Sequence, residues 1–272
     1  MAGQTYRYPL GNTQAEHERL ARQAKVFDPL TERLFREAGI GAGMRVLDLG
    51  SGAGDVSMLL SRIVGPSGQV VGVERSAESI AHAQQRVSAA RADNVRFVQA
   101  DVAAITGEAP FDAAVGRWIL MFVPDPVAVL RATIRLVKPG GSVAFHEVWW
   151  DPVLMAGSDR PLASTALSLL HAMLGRANAD AAMGMALRRV YLEAGLPSPA
   201  MRLEMPLHDE RAWSHWLVDT IRSMRLPNDT DARFADLGDL DALPGRIEAE
   251  TAAARAPAPW LAMVGAWTTT EG

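Results

Sequence analysis

A glycine-rich turn between an apolar run and an amphipathic segment constrains this chain more than any other feature. The run Arg45–Leu49 is short and mostly apolar, which is typical of a strand buried on both faces of a parallel sheet. Gly50, Gly52 and Gly54 follow it, and apolar residues at helical spacing begin after Asp55. A strand that enters a helix through such a turn leaves backbone N–H groups at the positive end of the helix dipole, where an anionic group can bind.

The spacing and the charge of this turn favour a cationic amino acid ligand over a phosphate. The dinucleotide fingerprint is GxGxxG, whereas the third glycine comes one residue earlier in this sequence. Asp48 and Asp55 flank the turn and no Lys or Arg lies within it, so a pyrophosphate would be repelled and a P-loop lysine is absent. A ligand with a single carboxylate and a positive charge, such as S-adenosylmethionine, fits this turn better.

Further apolar runs follow along the chain, and the first two end in an acid. They span residues 69–74, 95–101, 111–116 and 141–148. The first run ends at Glu74, about 20 residues after Gly54, which is where an acid binds ribose hydroxyls in doubly wound folds. The second run ends at Asp101. The alternation of such runs with helical segments predicts an α/β fold with a mostly parallel sheet.

Together these segments resemble the class I S-adenosylmethionine-dependent methyltransferases. The matching pieces, in the order and at the spacing of that family, are VLDLGSGAGD, VVGVER, VRFVQAD, FDAAVGRWILMFVPDP and LVKPGG. The resemblance covers about residues 5–150. It implies a Rossmann-like, doubly wound, mostly parallel seven-stranded sheet whose last strand is antiparallel, with a helical N-terminal segment and a helical lid insertion.

The resemblance also implies a set of residues that bind S-adenosyl-L-methionine. Arg75 packs against the adenine in the family, although a surface cation is an equal alternative. Asp101 and Val102 bind the adenine amino group, and the alternative for Asp101 is a cap of the segment that follows. The backbone carbonyls of Gly116 and Arg117 accept from the methionine amino group. The complete predicted set is Asp48, Gly50, Ser51, Gly52, Glu74, Arg75, Asp101, Val102, Gly116 and Arg117, with Tyr8 and Gln23 from the N-terminal segment.

Three further members of this set have alternative roles that the sequence leaves open. Tyr8 could be an ordinary packing aromatic residue, and Gln23 a solvated amide. Arg117 stands where the family commonly has a small polar residue. Its cation could point at an acidic or oxygen-bearing substrate, or it could pair with a carboxylate of the protein.

The end of the last apolar run carries the candidate catalytic residues His146 and Glu147. Ligands bind at the carboxyl ends of strands in open α/β sheets, and imidazole titrates near working pH, so His146 is the best-placed general base. Strand alternation puts the two side chains on opposite faces, so only one of them is expected to reach the pocket. Their alternative is a hydrogen-bonded structural histidine and a strand-end acid. Trp118, Met121 and Trp149 are predicted pocket walls or, alternatively, core packing.

Composition excludes several other classes of protein. The chain has 272 residues, 49% apolar and 21% charged, which is typical of a soluble protein with a substantial core. A net charge of −4 without a Lys/Arg-rich face argues against a nucleic-acid partner. The absence of cysteine excludes disulfides and thiol catalysis, and we predict no metal site. Without a membrane-spanning apolar run or a signal peptide, we expect no membrane partner and a cytoplasmic location.

We expect three regions along the chain. They are an N-terminal helical cap (1–40), an S-adenosylmethionine-binding Rossmann-like core (41–150), and a C-terminal part (151–272) that completes the sheet and adds lid helices. In the first region, Pro29 is expected to interrupt the helical pattern. The aspartate-rich segment 229–241 does not match a calcium-binding loop and is interpreted as a solvated acidic surface.

The predicted function is methyl transfer to the O, N or C atom of an apolar or aromatic small molecule, such as a quinone, phenol, indole or secondary-metabolite intermediate. The reaction would be an in-line displacement that depends on orientation, with general-base help from His146. We expect a monomer or a homodimer. Two alternatives remain: a non-catalytic cofactor-binding or regulatory module, and a nicotinamide-dependent oxidoreductase, which the GxGxG spacing and Asp48 disfavour.

Overall fold

The apolar runs of the sequence form one sheet in the computed structural model, which describes residues 14–105, 110–156, 159–208 and 210–271. The strands are β1 (Arg45–Leu49), β2 (Gln69–Glu74), β3 (Val95–Gln99), β4 (Phe111–Arg117), β5 (Val137–Trp149), β6 (Ala200–Glu204), β7 (Leu207–His208), β8 (Ala258–Pro259) and β9 (Ala262–Thr269). Seven of them form a sheet in the order β3-β2-β1-β4-β5-β9-β6, and β7 pairs with β8 separately. Pairing is parallel from β3 to β5 and antiparallel between β6 and β9. The predicted fold class is confirmed.

The described residues also form ten α-helices. They are α1 (Gln14–Glu37), α2 (Asp55–Val64), α3 (Ala77–Ala89), α4 (Pro126–Ile134), α5 (Asp151–Ala156), α6 (Pro161–Arg176), α7 (Met183–Ala194), α8 (Glu210–Met224), α9 (Arg233–Leu237) and α10 (Leu243–Ala254). The predicted interruption at Pro29 is wrong, because α1 continues through it. A proline removes one helical hydrogen bond, whereas Phe27, Leu34 and Phe35 on both sides of it are buried and hold the helix in place.

The described parts of the chain group into two compact units. The sheet unit comprises Ala24–Trp149, Ala182–Glu204 and Met263–Gly272. The helical unit comprises Met1–Gln23, Trp150–Ala181 and Met205–Ala262. Helix α1 contributes residues to both units, and α7, β6 and nearly all of β9 belong with the sheet. The antiparallel pairing of β6 with β9 is what brings this C-terminal segment into the sheet unit. The three expected regions stay a prediction.

The core of the sheet unit is a cluster of buried apolar side chains from α1, α2 and the central strands. It includes Leu34, Phe35, Val46, Leu59, Ile63, Val70, Val115 and Ala144. Full burial of such a side chain stabilises the fold by about 1.5–3 kcal/mol, so this cluster fixes the position of α2 against β1. The glycine-rich turn that joins these two elements is thereby anchored at both of its ends.

The aspartate-rich segment of the helical unit is ion-paired rather than solvated at two of its residues. Arg176 binds Asp229 at 3.0 Å and Asp231 at 2.9 Å, and Arg233 binds Asp231 at 2.6 Å. The hydrogen bonds from Arg233 hold the pKa of Asp231 well below its usual range. The interpretation as a solvated surface is wrong for both aspartates, whose side chains are 10% and 12% exposed.

The hydroxyl of Tyr191 on α7 provides a test of the packing on the sheet. It donates to the carbonyl oxygen of Ala266 at 2.8 Å and lies 3.3 Å from that of Val143, and the side chain is fully buried. We expect Tyr191→Phe to lower the free energy of unfolding by about 1–3 kcal/mol, because a buried carbonyl loses its donor. Urea denaturation measures this loss. The exposed neighbour Leu192 is the control, and a Tyr191→Phe effect no larger than that of Leu192→Ala would contradict the assignment.

Candidate functional site

The candidate site begins with the turn between β1 and α2, whose shape requires glycine. Gly50 and Gly54 have φ angles of +67° and +86°, in the left-handed region that other residues rarely adopt. A Cβ at Gly50 would lie 2.5 Å from Ile119, and a Cβ at Gly54 would lie 3.1 Å from the Cβ of Ala83. The turn is therefore held closely against its neighbours, and its conformation is set before any ligand binds.

The start of α2 is suited to bind an anionic group. Gly54 is the N-cap residue and provides no side-chain acceptor for the N–H groups of the first turn. These groups lie at the positive end of the helix dipole. Asp55, in the first turn, has its carboxylate bound by Arg86 at 2.7 Å. The start of the helix can therefore accept the single carboxylate of an amino acid ligand.

Glu74, at the end of β2, is held by the backbone around it. Its Oε2 atom accepts the N–H of Gly52 at 3.1 Å, and its Oε1 atom accepts the N–H groups of Arg75 and Ser76, both at 2.9 Å. A carboxylate has about four acceptor positions, so capacity for a further donor remains. The side chain is half-buried. A carboxylate that is oriented in this way beside the turn fits the predicted contact with ribose hydroxyls.

Asp48 lies beneath the turn, in the interior of the sheet unit. Its side chain is 1% exposed, and its Oδ2 atom accepts from the hydroxyl of Ser57 at 2.5 Å. Burial raises the pKa of Asp48 to about 7, against the lowering effect of the Ser57 hydrogen bond. Asp48 therefore contributes only part of a negative charge at neutral pH, and its observed contact is with α2. A direct contact between Asp48 and a ligand stays a prediction.

Ser51 supplies an independent test of whether the turn fits a polar ligand. Its Oγ atom is buried and has no hydrogen-bond partner within the described ranges of the chain. A buried hydroxyl without a partner costs about 1–3 kcal/mol, which a polar group of a bound ligand would relieve. Gly52, the next residue, leaves open space where a Cβ would stand, since its nearest neighbour is the carbonyl oxygen of Gly50 at 4.0 Å. The residues of the turn therefore fit S-adenosylmethionine.

The residues predicted to contact the adenine lie around the end of β3. Asp101 is exposed, and its Oδ1 atom accepts the N–H of Ala103 at 2.8 Å, which is the cap of the following segment that the sequence left open as its alternative role. Val102 is buried. Arg75 is exposed, and its carbonyl oxygen accepts from Gln99 at 3.1 Å. The adenine contacts of these residues stay predictions.

The side chain of Arg117, at the end of β4, pairs with a carboxylate of the protein. It donates to Asp28 at 2.9 Å and to Thr31 at 3.0 Å, and it is buried. Of the two alternatives for this cation, the structure shows the pairing. The neighbouring Gly116 has no room for a side chain, because a Cβ there would lie 2.6 Å from Ile119. The backbone contacts predicted for Gly116 and Arg117 stay predictions.

His146 is a buried, neutral residue. Its Nδ1 atom lies 3.0 Å from the hydroxyl of Thr31, and its side chain is 2% exposed. Burial and the positive charge of Arg117 lower the pKa of His146 to about 3. A general base works best when its pKa is near the operating pH, so these surroundings favour the structural alternative for His146 over strong general-base catalysis.

Glu147 caps the short 3-10 helix Leu120–Phe122. Its buried carboxylate accepts the backbone N–H groups of Ile119, Leu120 and Met121, at 3.0, 2.8 and 3.4 Å. These contacts orient the carboxylate toward the backbone that follows β4. They favour the alternative role that the sequence left open, a strand-end acid that stabilises the fold. A catalytic role of Glu147 stays a prediction.

The predicted pocket walls are held by packing within the sheet unit. Trp118 has a φ angle of +54°, its ring meets Phe27 edge to face at 5.0 Å, and its Nε1 atom donates to the sulfur of Met263 at 3.2 Å. Met121 is buried and Trp149 is half-buried. A non-glycine residue with positive φ is uncommon and tends to occur at functional sites, which is compatible with a wall position for Trp118.

The N-terminal candidates have different outcomes. Tyr8 lies outside the described residues. Gln23 belongs to the helical unit, is buried, and accepts from Arg19 at 2.8 Å and from the indole N–H of Trp216 at 2.6 Å. The alternative of a solvated amide is therefore wrong. A cofactor contact of Gln23 stays a prediction.

The site contains partners that the sequence did not indicate. Ser57, Thr31 and Asp28 bind predicted residues from other elements of the sheet unit. Arg86 binds Asp55, directly after the glycine-rich turn. In the described ranges, no group of at least three His, Cys, Asp or Glu side chains is placed to hold a metal ion. The same ranges contain no helix of the length and apolar character needed to cross a bilayer.

Comparison with known proteins identifies related sequences and folds. Residues 40–186 match the family model described as "Methyltransferase domain". An arsenite methyltransferase from Aquipseudomonas alcaligenes is 37% identical over 117 residues, which are 40% of this chain and 34% of that protein. A demethylmenaquinone methyltransferase from Lactococcus lactis is 32% identical over 124 residues, which are 45% and 49% of the two chains. The chain thus spans between a third and a half of the length of these relatives.

A solved structure shows the same fold over nearly the whole chain. It is a putative sarcosine dimethylglycine methyltransferase from Galdieria sulphuraria, with a TM-score of 0.56 and 16% sequence identity. The likeness covers 98% of this chain and 91% of that one. At this identity the comparison supports the fold alone.

The buried Asp48 makes the stability of the protein pH-dependent. Its pKa is raised from 3.8 to about 7, so the folded chain keeps a proton that the unfolded chain releases, and the free energy of unfolding falls as the pH rises through this range. Asp48→Asn removes this titration. We expect the stability of the variant relative to the wild type to grow by up to about 4 kcal/mol between about pH 4 and about pH 8.

Urea denaturation of both proteins at the two pH values measures this difference. The control is Asp93→Asn, which changes an exposed carboxyl group. The control should follow the wild type at both pH values. A constant difference between Asp48→Asn and the wild type would show that Asp48 is charged throughout.

Proposed function

The chain belongs to the methyltransferase-domain family of class I S-adenosylmethionine-dependent enzymes, and from this premise we propose that it transfers the cofactor's methyl group to an apolar or aromatic small molecule. The observation that carries the proposal is the turn between β1 and α2 together with Glu74. The turn offers backbone donors to a carboxylate, and Glu74 is oriented beside it by three N–H groups. Few other ligands combine a carboxylate, a ribose and a positive charge.

In this proposal, the residues of the chain bind the cofactor and orient it toward the acceptor. The first turn of α2 would hold the methionine carboxylate, Glu74 the ribose, and Asp101 with Val102 the adenine. When bound, S-adenosylmethionine supplies an activated methyl group on a sulfonium. The protein then has to align the acceptor with that methyl group and exclude water, and such alignment is worth up to about 7–11 kcal/mol in favourable systems.

The acceptor is proposed to be aromatic, as in quinone methylation, rather than a soft ion. Arsenic(III) is a thiol-binding centre, and the chain has no cysteine to hold it. Trp118, Met121 and Trp149 offer apolar and polarizable surface near the ends of β4 and β5. The likeness to a demethylmenaquinone methyltransferase supports the same class. Transfer to oxygen, nitrogen or carbon is compatible with these residues.

In the proposed mechanism, alignment of the acceptor with the methyl group contributes more than general-base help from His146. A histidine whose pKa is lowered to about 3 is neutral at working pH but takes up a proton only weakly. A phenol or a quinol has a pKa of about 10 and is protonated at working pH, so its proton would leave to solvent or to another group as the methyl group is transferred. The proposal also includes a cytoplasmic location, a monomeric or homodimeric state and a place in secondary metabolism, for which the sequence is the only support.

Incubation with methyl-labelled S-adenosylmethionine and a panel of acceptors tests the proposal. The panel contains quinols, phenols, indoles and arsenite. We expect label in an aromatic acceptor and none in the arsenite. Binding of S-adenosylhomocysteine without transfer to any acceptor would favour the non-catalytic module instead. Thermal stabilisation by NAD but not by S-adenosylhomocysteine would favour the oxidoreductase.

Glu74→Gln tests the assignment of the cofactor site. The amide keeps the shape of the side chain but loses the charge that binds the ribose hydroxyls, and hydrogen bonds to charged groups are worth about 1.5–3 kcal/mol. We expect the affinity for S-adenosylhomocysteine, measured by calorimetric titration, to fall about 10- to 100-fold. Glu78→Gln, at an exposed acid on α3, is the matched control. Equal affinities for the two variants would refute the assignment.

A further inference from the structure

Arg86 joins α3 to the glycine-rich turn through two short hydrogen bonds. Its Nη1 atom donates to the carbonyl oxygen of Ala53 at 2.7 Å, and its Nη2 atom donates to Oδ1 of Asp55 at 2.7 Å. The side chains of Arg86 and Asp55 are 23% and 13% exposed, so the pair is largely withdrawn from water. No feature of the sequence pattern indicated this contact, because Arg86 is 33 residues from Ala53 and 31 residues from Asp55 along the chain.

We propose that Arg86 is a positioning residue for the cofactor. Arg86 sets the shape of the turn, and it cancels the charge of Asp55 where the methionine carboxylate binds. The inference rests on the proposed function, since it assumes that the turn holds S-adenosylmethionine. It assigns a role to a residue that has no predicted contact with the ligand.

The first part of the argument concerns the shape of the turn. Gly54 has a φ angle of +86° and, as a glycine, has access to a wide range of backbone conformations. The N–H of the peptide between Ala53 and Gly54 donates to the carbonyl oxygen of Ser51 at 2.8 Å, and the carbonyl oxygen of the same peptide needs a second contact to fix its orientation. The bond from Arg86 to the Ala53 carbonyl provides that contact. Ala83, one helical turn earlier on the same face of α3, packs below Gly54 and completes the support.

The second part concerns charge. Asp55 stands in the first turn of α2, where a carboxylate interacts favourably with the helix dipole. The same N–H groups are the proposed donors for the carboxylate of the cofactor. An unpaired Asp55 would repel that carboxylate, and the repulsion would be strong in a partly buried position. The guanidinium of Arg86 removes it, because a bound Arg carries a full positive charge at any working pH.

This role predicts a selective loss of affinity when Arg86 is changed. S-adenosylhomocysteine carries the amino acid carboxylate, whereas 5′-methylthioadenosine has the same nucleoside without it. Calorimetric titration of Arg86→Gln should show about a tenfold weaker affinity for S-adenosylhomocysteine and an unchanged affinity for 5′-methylthioadenosine. Arg86→Lys keeps the charge but not the two-pronged geometry. It should recover part of the loss.

Further variants separate shape from charge. Asp55→Asn in the Arg86→Gln background removes the unpaired carboxylate, so it should recover the part of the affinity that was lost to repulsion. Arg91→Gln, at an exposed arginine just beyond α3, is the matched control and should bind both ligands like the wild type. Thermal melts of all variants show whether the fold is retained.

Two results would overturn the inference. One is an equal loss of affinity for both ligands in Arg86→Gln, which would indicate a general loosening of the fold. The other is no loss for either ligand. A wild-type protein that fails to bind S-adenosylhomocysteine would overturn the proposed function as well, whereas the two results confined to Arg86 leave that function standing.

Discussion

The parallel pairing of β1 with both β2 and β4 is the constraint on which the candidate site depends. Leu49 is in register with Val73 on one side and with Gly116 on the other, so three strand ends meet at one edge of the sheet. The glycine-rich turn, Glu74 and the backbone after β4 all begin at this edge. A shift of one residue in the pairing of β1 with β2 would turn Glu74 to the other face of the sheet, away from its contact with Gly52.

Charged groups around this edge are satisfied within the sheet unit itself. Asp55 is bound by Arg86, Arg117 by Asp28, and Glu147 by backbone N–H groups. Buried charges persist only when they are paired or hydrogen-bonded, so each of these residues stabilises the local fold. What they leave available is a rigid surface of backbone donors and apolar side chains. Such a surface is suited to align a reactive cofactor.

The elements that could be predicted are those that local pattern determines. The strand that ends at Glu74 and the strand that precedes Asp101 were recognisable because strands of a parallel sheet are mostly apolar runs. The turn was recognisable because glycine readily adopts its φ angles. The solvated roles considered for Gln23 and Asp231 were wrong for the opposite reason. Each binds a residue distant in the sequence, and a polar side chain carries no local sign of whether such a partner will be present.

The sequence by itself determined the sheet, the turn and the family, because hydrophobic period, glycine spacing and acid placement are properties of neighbouring residues. The tertiary structure decided which of the ionisable groups at the site are charged and which of the charges are paired. Packing raised the pKa of Asp48, lowered that of His146 and bound Asp55 to Arg86. These effects depend on burial and on distances between elements far apart in the chain. A sequence pattern contains neither burial nor such distances, so it does not determine the charge at the site.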